Sequence, residues 1–140
     1  KEQIKTLSPT LEQDYWALVS GESRHAESPD SFWIPALSDR QSLKPGDAAK
    51  LIFEIETENE HGGIQRDSER MWVVVSEIVG PYYIGRLTNK PATLDENSDF
   101  YLKIDVEVPF LPEHVLDIDR PPSAFLNALF SEEPRNAWPR

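Results

Sequence analysis

Met71-Trp72-Val73-Val74-Val75-Ser76-Glu77-Ile78-Val79 and Tyr82-Tyr83-Ile84-Gly85-Arg86-Leu87, parted only by Gly80-Pro81, read as the two strands of one hairpin. Both runs are dominated by β-branched and aromatic residues, which suit a pleated, half-buried surface better than a helix. Gly80 permits unusual φ and Pro81 cannot donate to a ladder, so the break between the runs is a turn. The rest of the chain reads as packing around this hairpin.

Working outward, Lys50 to Thr57 alternates cleanly, with Leu51, Phe53 and Ile55 on one face and Glu54, Glu56, Glu58 and Glu60 along the other. His61-Gly62-Gly63 closes that run, and the span from Asn59 to Glu69 reads as a charged, mobile tip. After the hairpin, Phe100 to Val108 alternates again and Pro109 ends it. Phe110 to His114 is expected to turn, and Val115 to Ile118 to form a short closing strand. Upstream, Phe32-Trp33-Ile34-Pro35 reads as an extended plug, Ser38 to Leu43 as one short helical turn, and Lys44-Pro45-Gly46-Asp47 as a turn.

Both ends read as helical. Ser8-Pro9 offers an N-cap, Leu11, Tyr15, Leu18 and Val19 share one face, and Gly21 is the expected stop. Pro121-Pro122-Ser123 opens a last helix with Phe125, Leu126, Leu129 and Phe130 as its apolar side. The expected organisation is a single domain over 1–140. It comprises an N-terminal helix at 1–21, a β core at 48–118, a C-terminal helix at 121–131 and a partly ordered tail at 132–140. The class is α+β: a small, strongly bent antiparallel sheet or partly open barrel of about five strands, with a helix at each end.

The 140 residues carry 25 acids against 14 bases, a formal charge of −11. That field repels nucleic acid and anionic membranes and favours basic protein partners. No apolar run approaches the roughly 20 residues of a membrane helix, so a soluble chain is expected. With no cysteine, disulfides, thiol catalysis and thiolate metal sites are excluded. Beginning at Lys1, the chain is expected to be processed or trimmed. It is expected to be cytoplasmic, or periplasmic where a leader has been removed.

Catalytic signatures are sparse. His25, His61 and His114 are not spaced as metal ligands, and neither a Gly-x-Ser-x-Gly elbow nor a phosphate-binding Gly-Lys-Ser/Thr occurs. No cofactor or metal is expected. The stripe Glu54, Glu56, Glu58, Glu60 has three readings: a charged face that discourages aggregation, a docking face for a basic partner, and paired carboxylates for general acid-base catalysis.

Four stretches carry a resemblance. They are Phe32 to Pro35, Leu43 to Asp47 with Lys50 to Glu54, Glu69 to Val73, and Tyr83 to Pro91 with its Gly-x-Leu-x-Asn-x-Pro turn; Pro112-Glu113-His114-Val115 adds a fifth element. Together they are similar to bacterial proteins of the DUF2314-like kind, small domains with no assigned activity. The resemblance spans about the middle two-thirds of the chain and brings no catalytic residue with it.

Composition and charge suggest a non-enzymatic protein-binding domain, and by analogy of type an immunity protein that inhibits a cognate toxin by direct binding. The expected partner-binding residues are Glu54, Glu56, Glu58, Glu60, Asp67 and Glu69, with Trp16 and Trp138 as anchors. Two alternatives stay open: an accessory interaction domain without inhibitory role, and a small hydrolase using His61 or His114 with nearby carboxylates.

Overall fold

A computed structural model describes residues 6–140. The expected hairpin is its centre: β3 (Ile64–Val79) turns through Gly80, at φ 58°, into β4 (Tyr82–Leu87). β2 (Ala48–Glu58) pairs antiparallel with β3 along its whole length, and β5 (Glu107–Phe110) pairs with β4. β1 (Trp16–Leu18) adds to the far side of β2, so the strand order is β1-β2-β3-β4-β5, curled into a half-barrel. A sixth short strand, β6 (Asp117–Asp119), pairs with the start of β2, placing Asp119 opposite Ala48 and Asp117 opposite Lys50.

The inner face is the core. Leu51, Phe53, Ile55, Met71, Val73, Val75, Leu87, Val108 and Phe110 are all buried there. Gly85 lies on that face because a side chain would not fit. A Cβ at this position would stand 2.9 Å from Cβ and Cγ2 of Val73, closer than carbon atoms pack. Gly85→Ala is therefore expected to destabilise the protein by about 2 kcal/mol through overpacking, read as a lower urea midpoint at unchanged slope.

The amino-terminal reading needs correction. Its portion at residues 1–5 lies outside the described residues. Beyond them the helix is a single turn, α1 (Leu11–Asp14), capped by Thr10, whose hydroxyl accepts from the Gln13 amide. Tyr15 adopts φ 66°, which reverses the chain, and Trp16 to Leu18 then leave as β1. Gly21 is not a stop but the first residue of α2 (Gly21–Glu27), capped by Ser20. A Cβ on Gly21 would meet Leu116 at 3.0 Å, so close approach to the 112–116 segment, rather than a helix end, accounts for the glycine.

Three further expectations change. The tip shrinks to the turn Asn59–Gly63, since Ile64 to Glu69 continue β3 opposite Glu58 to Phe53. The strand expected at Phe100 to Val108 reduces to β5, because Asp105 turns at φ 71° and Pro109 lies within the strand, opposite Ile84, rather than ending it. The tail is held down rather than loose: the Glu107 amide donates to Asn136 O at 3.0 Å, and the Trp138 indole to Leu7 O at 2.8 Å. The carboxyl-terminal helix, α4 (Ser123–Phe130), lies where the sequence puts it. α3 (Leu37–Arg40) is likewise one helical turn, and a 3-10 turn spans Pro112–His114. Among the described residues no helix is long and apolar enough to cross a membrane.

Candidate functional site: an acidic groove beside Trp33

The sheet divides the expected acidic docking residues between its two faces. Cross-strand partners share a face, so Glu54 (opposite Ser68), Glu56 (opposite Arg66) and Glu58 (opposite Ile64) lie on the outer side. Asp67 and Glu69 pair with Ile55 and Phe53 and belong to the inner side. Glu60 is outside the strand, in the turn. Glu69 is already engaged, accepting from the amides of Ala92 and Thr93 and from the Thr93 hydroxyl at 2.6–3.1 Å, and so ties down the 92–93 loop. Glu56 is met by Arg66 at 3.2 Å. The six acidic residues therefore form no single patch.

Neither expected tryptophan anchor is free. Trp16 is wholly buried, stacked on Phe53 and Tyr101 with ring centroids 5.9 and 6.1 Å away. A side chain with no exposed surface cannot meet a partner without unfolding β1. Trp138 is half-buried, edge-on to Trp16 at 5.4 Å and to Tyr101 at 5.2 Å. It closes the gap between the N-terminal segment and β5.

Two of the three histidines are built into local structure. Nδ1 of the buried His114 accepts the Leu111 amide at 3.0 Å, and burial lowers its pKa, so the ring is held neutral. His25 Nδ1 donates to Phe32 O at 2.6 Å, while His61 sits exposed in the 59–63 turn. No group of three or more His, Asp or Glu among the described residues is placed to hold a metal ion.

A different site assembles at the end of the sheet where β6 joins β2. That pairing carries Asp117 and Asp119 to the turn before β2, where Asp47 stands, and α3 brings Asp39 alongside. Together with Trp33 and Arg120 they line a groove of about 530 Å³. Backbone bonds orient three of these carboxylates: Asp47 accepts from the Lys44 amide, Asp117 from Ile118 and Asp119 from Arg120, all at 2.8–2.9 Å. Such bonds leave the negative charge in place. The base lining the groove, Arg120, lies 3.7 Å from Asp47 and is itself largely exposed. Trp33, 69% exposed, is the apolar wall.

Arg40 fixes the groove's floor. Its buried guanidinium donates to Pro35 O, Pro112 O and Glu22 at 2.6–3.0 Å, joining α2, α3 and the 3-10 turn. Tyr83 reinforces it from β4, donating to Arg40 O at 2.8 Å and accepting the Leu43 amide at 3.2 Å. The groove is thus a rigid acidic surface with one large aromatic side chain presented to solvent, a combination that suits a cationic side chain lying over an indole. Comparison of the chain with protein-family models, with curated proteins and with solved structures gave no match.

Proposed function

We propose that this chain is a non-enzymatic binding domain for a basic polypeptide, and that it acts as an immunity protein, blocking a cognate toxin by occupying it. The observation that carries the reading is Trp33, exposed beside four aspartates and a single arginine in one groove. An exposed tryptophan supplies short-range energy at low entropic cost, while the −11 charge steers a basic partner toward the surface. The outer stripe of Glu54, Glu56 and Glu58 adds to that field at longer range. The resemblance to the DUF2314-like kind is compatible with this proposal and assigns no competing chemistry.

Capture of a stoichiometric partner, followed by its expression with and without this chain, tests the role. The expected result is a basic protein that arrests growth alone and is neutralised by the wild-type chain but not by the Asp39→Lys/Asp119→Lys variant. A partner that is bound yet harmless when expressed alone would instead make this an accessory domain. A partner bound equally well by the variant would remove the groove from the account.

A further inference from the structure

The tail at residues 135–140 lies along the outer edge of β5, the last strand of the sheet, as a bound peptide would. The carbonyl of Asn136 accepts the Glu107 amide at 3.0 Å, and Asn136 makes a parallel bridge with Val106. Two residues on, the Trp138 ring stands edge-on to Trp16 and Tyr101. Two further on, the Arg140 guanidinium reaches both Glu77 and Glu107. Contacts at 136, 138 and 140 follow the two-residue period of an extended strand. A peptide added to a sheet edge is read in this way, by pockets for alternate side chains.

Glu107 shows what this edge holds. It is buried, and among the described residues every hydrogen bond to its carboxylate comes from the tail: the Trp138 amide and Arg140 Nη1 at 2.9 Å, and Arg140 Nη2 at 3.2 Å. Glu77 accepts from the same guanidinium at 2.8–3.0 Å. A buried carboxylate left without a partner is costly, so the position demands a donor and a cation from whatever lies on it. Main-chain pairing is thin by contrast. The Glu107 carbonyl takes the Tyr101 hydroxyl at 2.7 Å, and Pro109, two residues on, has no amide to offer. Side chains therefore set what binds. The outer end of the tail can also let go, because the Arg140 and Glu77 side chains are 34% and 50% exposed, and such pairs hold weakly.

We propose that the β5 edge is a peptide-recognition site held closed in cis by residues 135–140. An extended segment of a partner protein, with an aromatic residue followed two positions later by arginine, takes the tail's place. The aromatic ring fills the slot of Trp138 against Tyr101, and the arginine bridges Glu77 and Glu107 as Arg140 does. The chain's own tail is the template for that ligand, and the two carboxylates give it its charge preference. The site shares no residue with the groove beside Trp33 and stands without the toxin-binding reading.

A fluorescein-labelled, amidated peptide of residues 134–140, titrated against the full-length chain, tests it. In the wild type the tethered tail competes as if present at about millimolar concentration, so the peptide binds weakly. Arg140→Ala trims a side chain that is one-third exposed and leaves Trp138 in place, so the fold persists. It is expected to tighten peptide binding about tenfold, because the tail then competes less well. Replacing the peptide's arginine at position 140 by glutamate is expected to abolish that binding. The wild type is read separately through the indole N–H signals of the ¹⁵N-labelled chain. About 5 mM unlabelled peptide is expected to shift Trp138 while Trp33 and Trp72 stay in place. An unmoved Trp138 signal would overturn the proposal and leave the tail a structural strap. So would equal affinity of the wild type and Arg140→Ala, or binding indifferent to the glutamate.

Discussion

Trp16→Ala is expected to lower the unfolding free energy by about 4 kcal/mol. The side chain is fully buried, and it joins β1 to the core by stacking on Phe53 and Tyr101 and by receiving the edge of Trp138. Removing it leaves a large void and frees both the three-residue strand and the tail that leans on it. Trp16→Phe keeps an aromatic ring in place and removes the unpaired indole N–H, so its cost is expected to be less than half as large. Urea unfolding of the two variants, with slopes near wild type, distinguishes a packing role from a role as an exposed anchor. An anchor would leave stability unchanged on truncation.

The second large effect is expected at Arg86. Its guanidinium is buried under α4, donates through Nε and Nη2 to the two oxygens of Asp105 at 2.8 Å, and reaches Glu132 O at 3.0 Å. It also lies 5.8 Å from the Phe130 ring centroid. One side chain thus ties β4 to the 99–105 loop and to the end of α4. Arg86→Met preserves much of the volume but strands the Asp105 carboxylate and releases the helix, and is expected to cost about 3 kcal/mol. Because Asp105 is partly exposed, part of its charge rehydrates, which keeps the value at the lower end for a broken ion pair. In a double-mutant cycle, Arg86→Met/Asp105→Asn is expected to cost clearly less than the sum of the single changes. Additive costs would show that the pair is not coupled.

Much of the sheet was legible because its signals are local. The β-branched runs around Gly80-Pro81 become β3 and β4, the alternation of Leu51, Phe53 and Ile55 becomes β2, and Pro121-Pro122-Ser123 does open α4. The misreadings share a cause, which is tertiary context overriding local pattern. Leu11, Tyr15 and Leu18 happen to fall at helical spacing, yet the left-handed turn at Tyr15 lets Trp16 pair with Ile55. The alternation from Phe100 to Val108 is interrupted at Asp105, whose φ of 71° is sustained by its pair with Arg86. The proline-rich tail looks unstructured until Trp138 finds Trp16 and Tyr101.

The candidate site was less legible for the same reason. Asp39 and Asp47 lie far along the chain from Asp117 and Asp119, and only the short β6–β2 pairing brings the two pairs into one groove. Nothing in the spacing of those residues announces that pairing. Glu54, Glu56 and Glu58 do share one face as alternation requires, but Asp67 and Glu69 pass to the other through the β2–β3 register. Trp33 was recognisable as one of three large apolar residues between prolines, though its exposure follows from the fold alone.

Under the proposed binding role, calorimetric affinities of three proteins for the captured partner decide which acidic surface docks it. These are the wild type, Trp33→Ala/Asp39→Lys/Asp119→Lys, and Glu54→Lys/Glu56→Lys/Glu58→Lys/Glu60→Lys. The expected result is a loss of about a hundredfold or more for the groove variant, and only a small, salt-sensitive loss of about threefold for the outer-stripe variant. Unchanged affinity in the groove variant, with binding abolished in the stripe variant, would contradict the account and return the docking face to the outer side of β2.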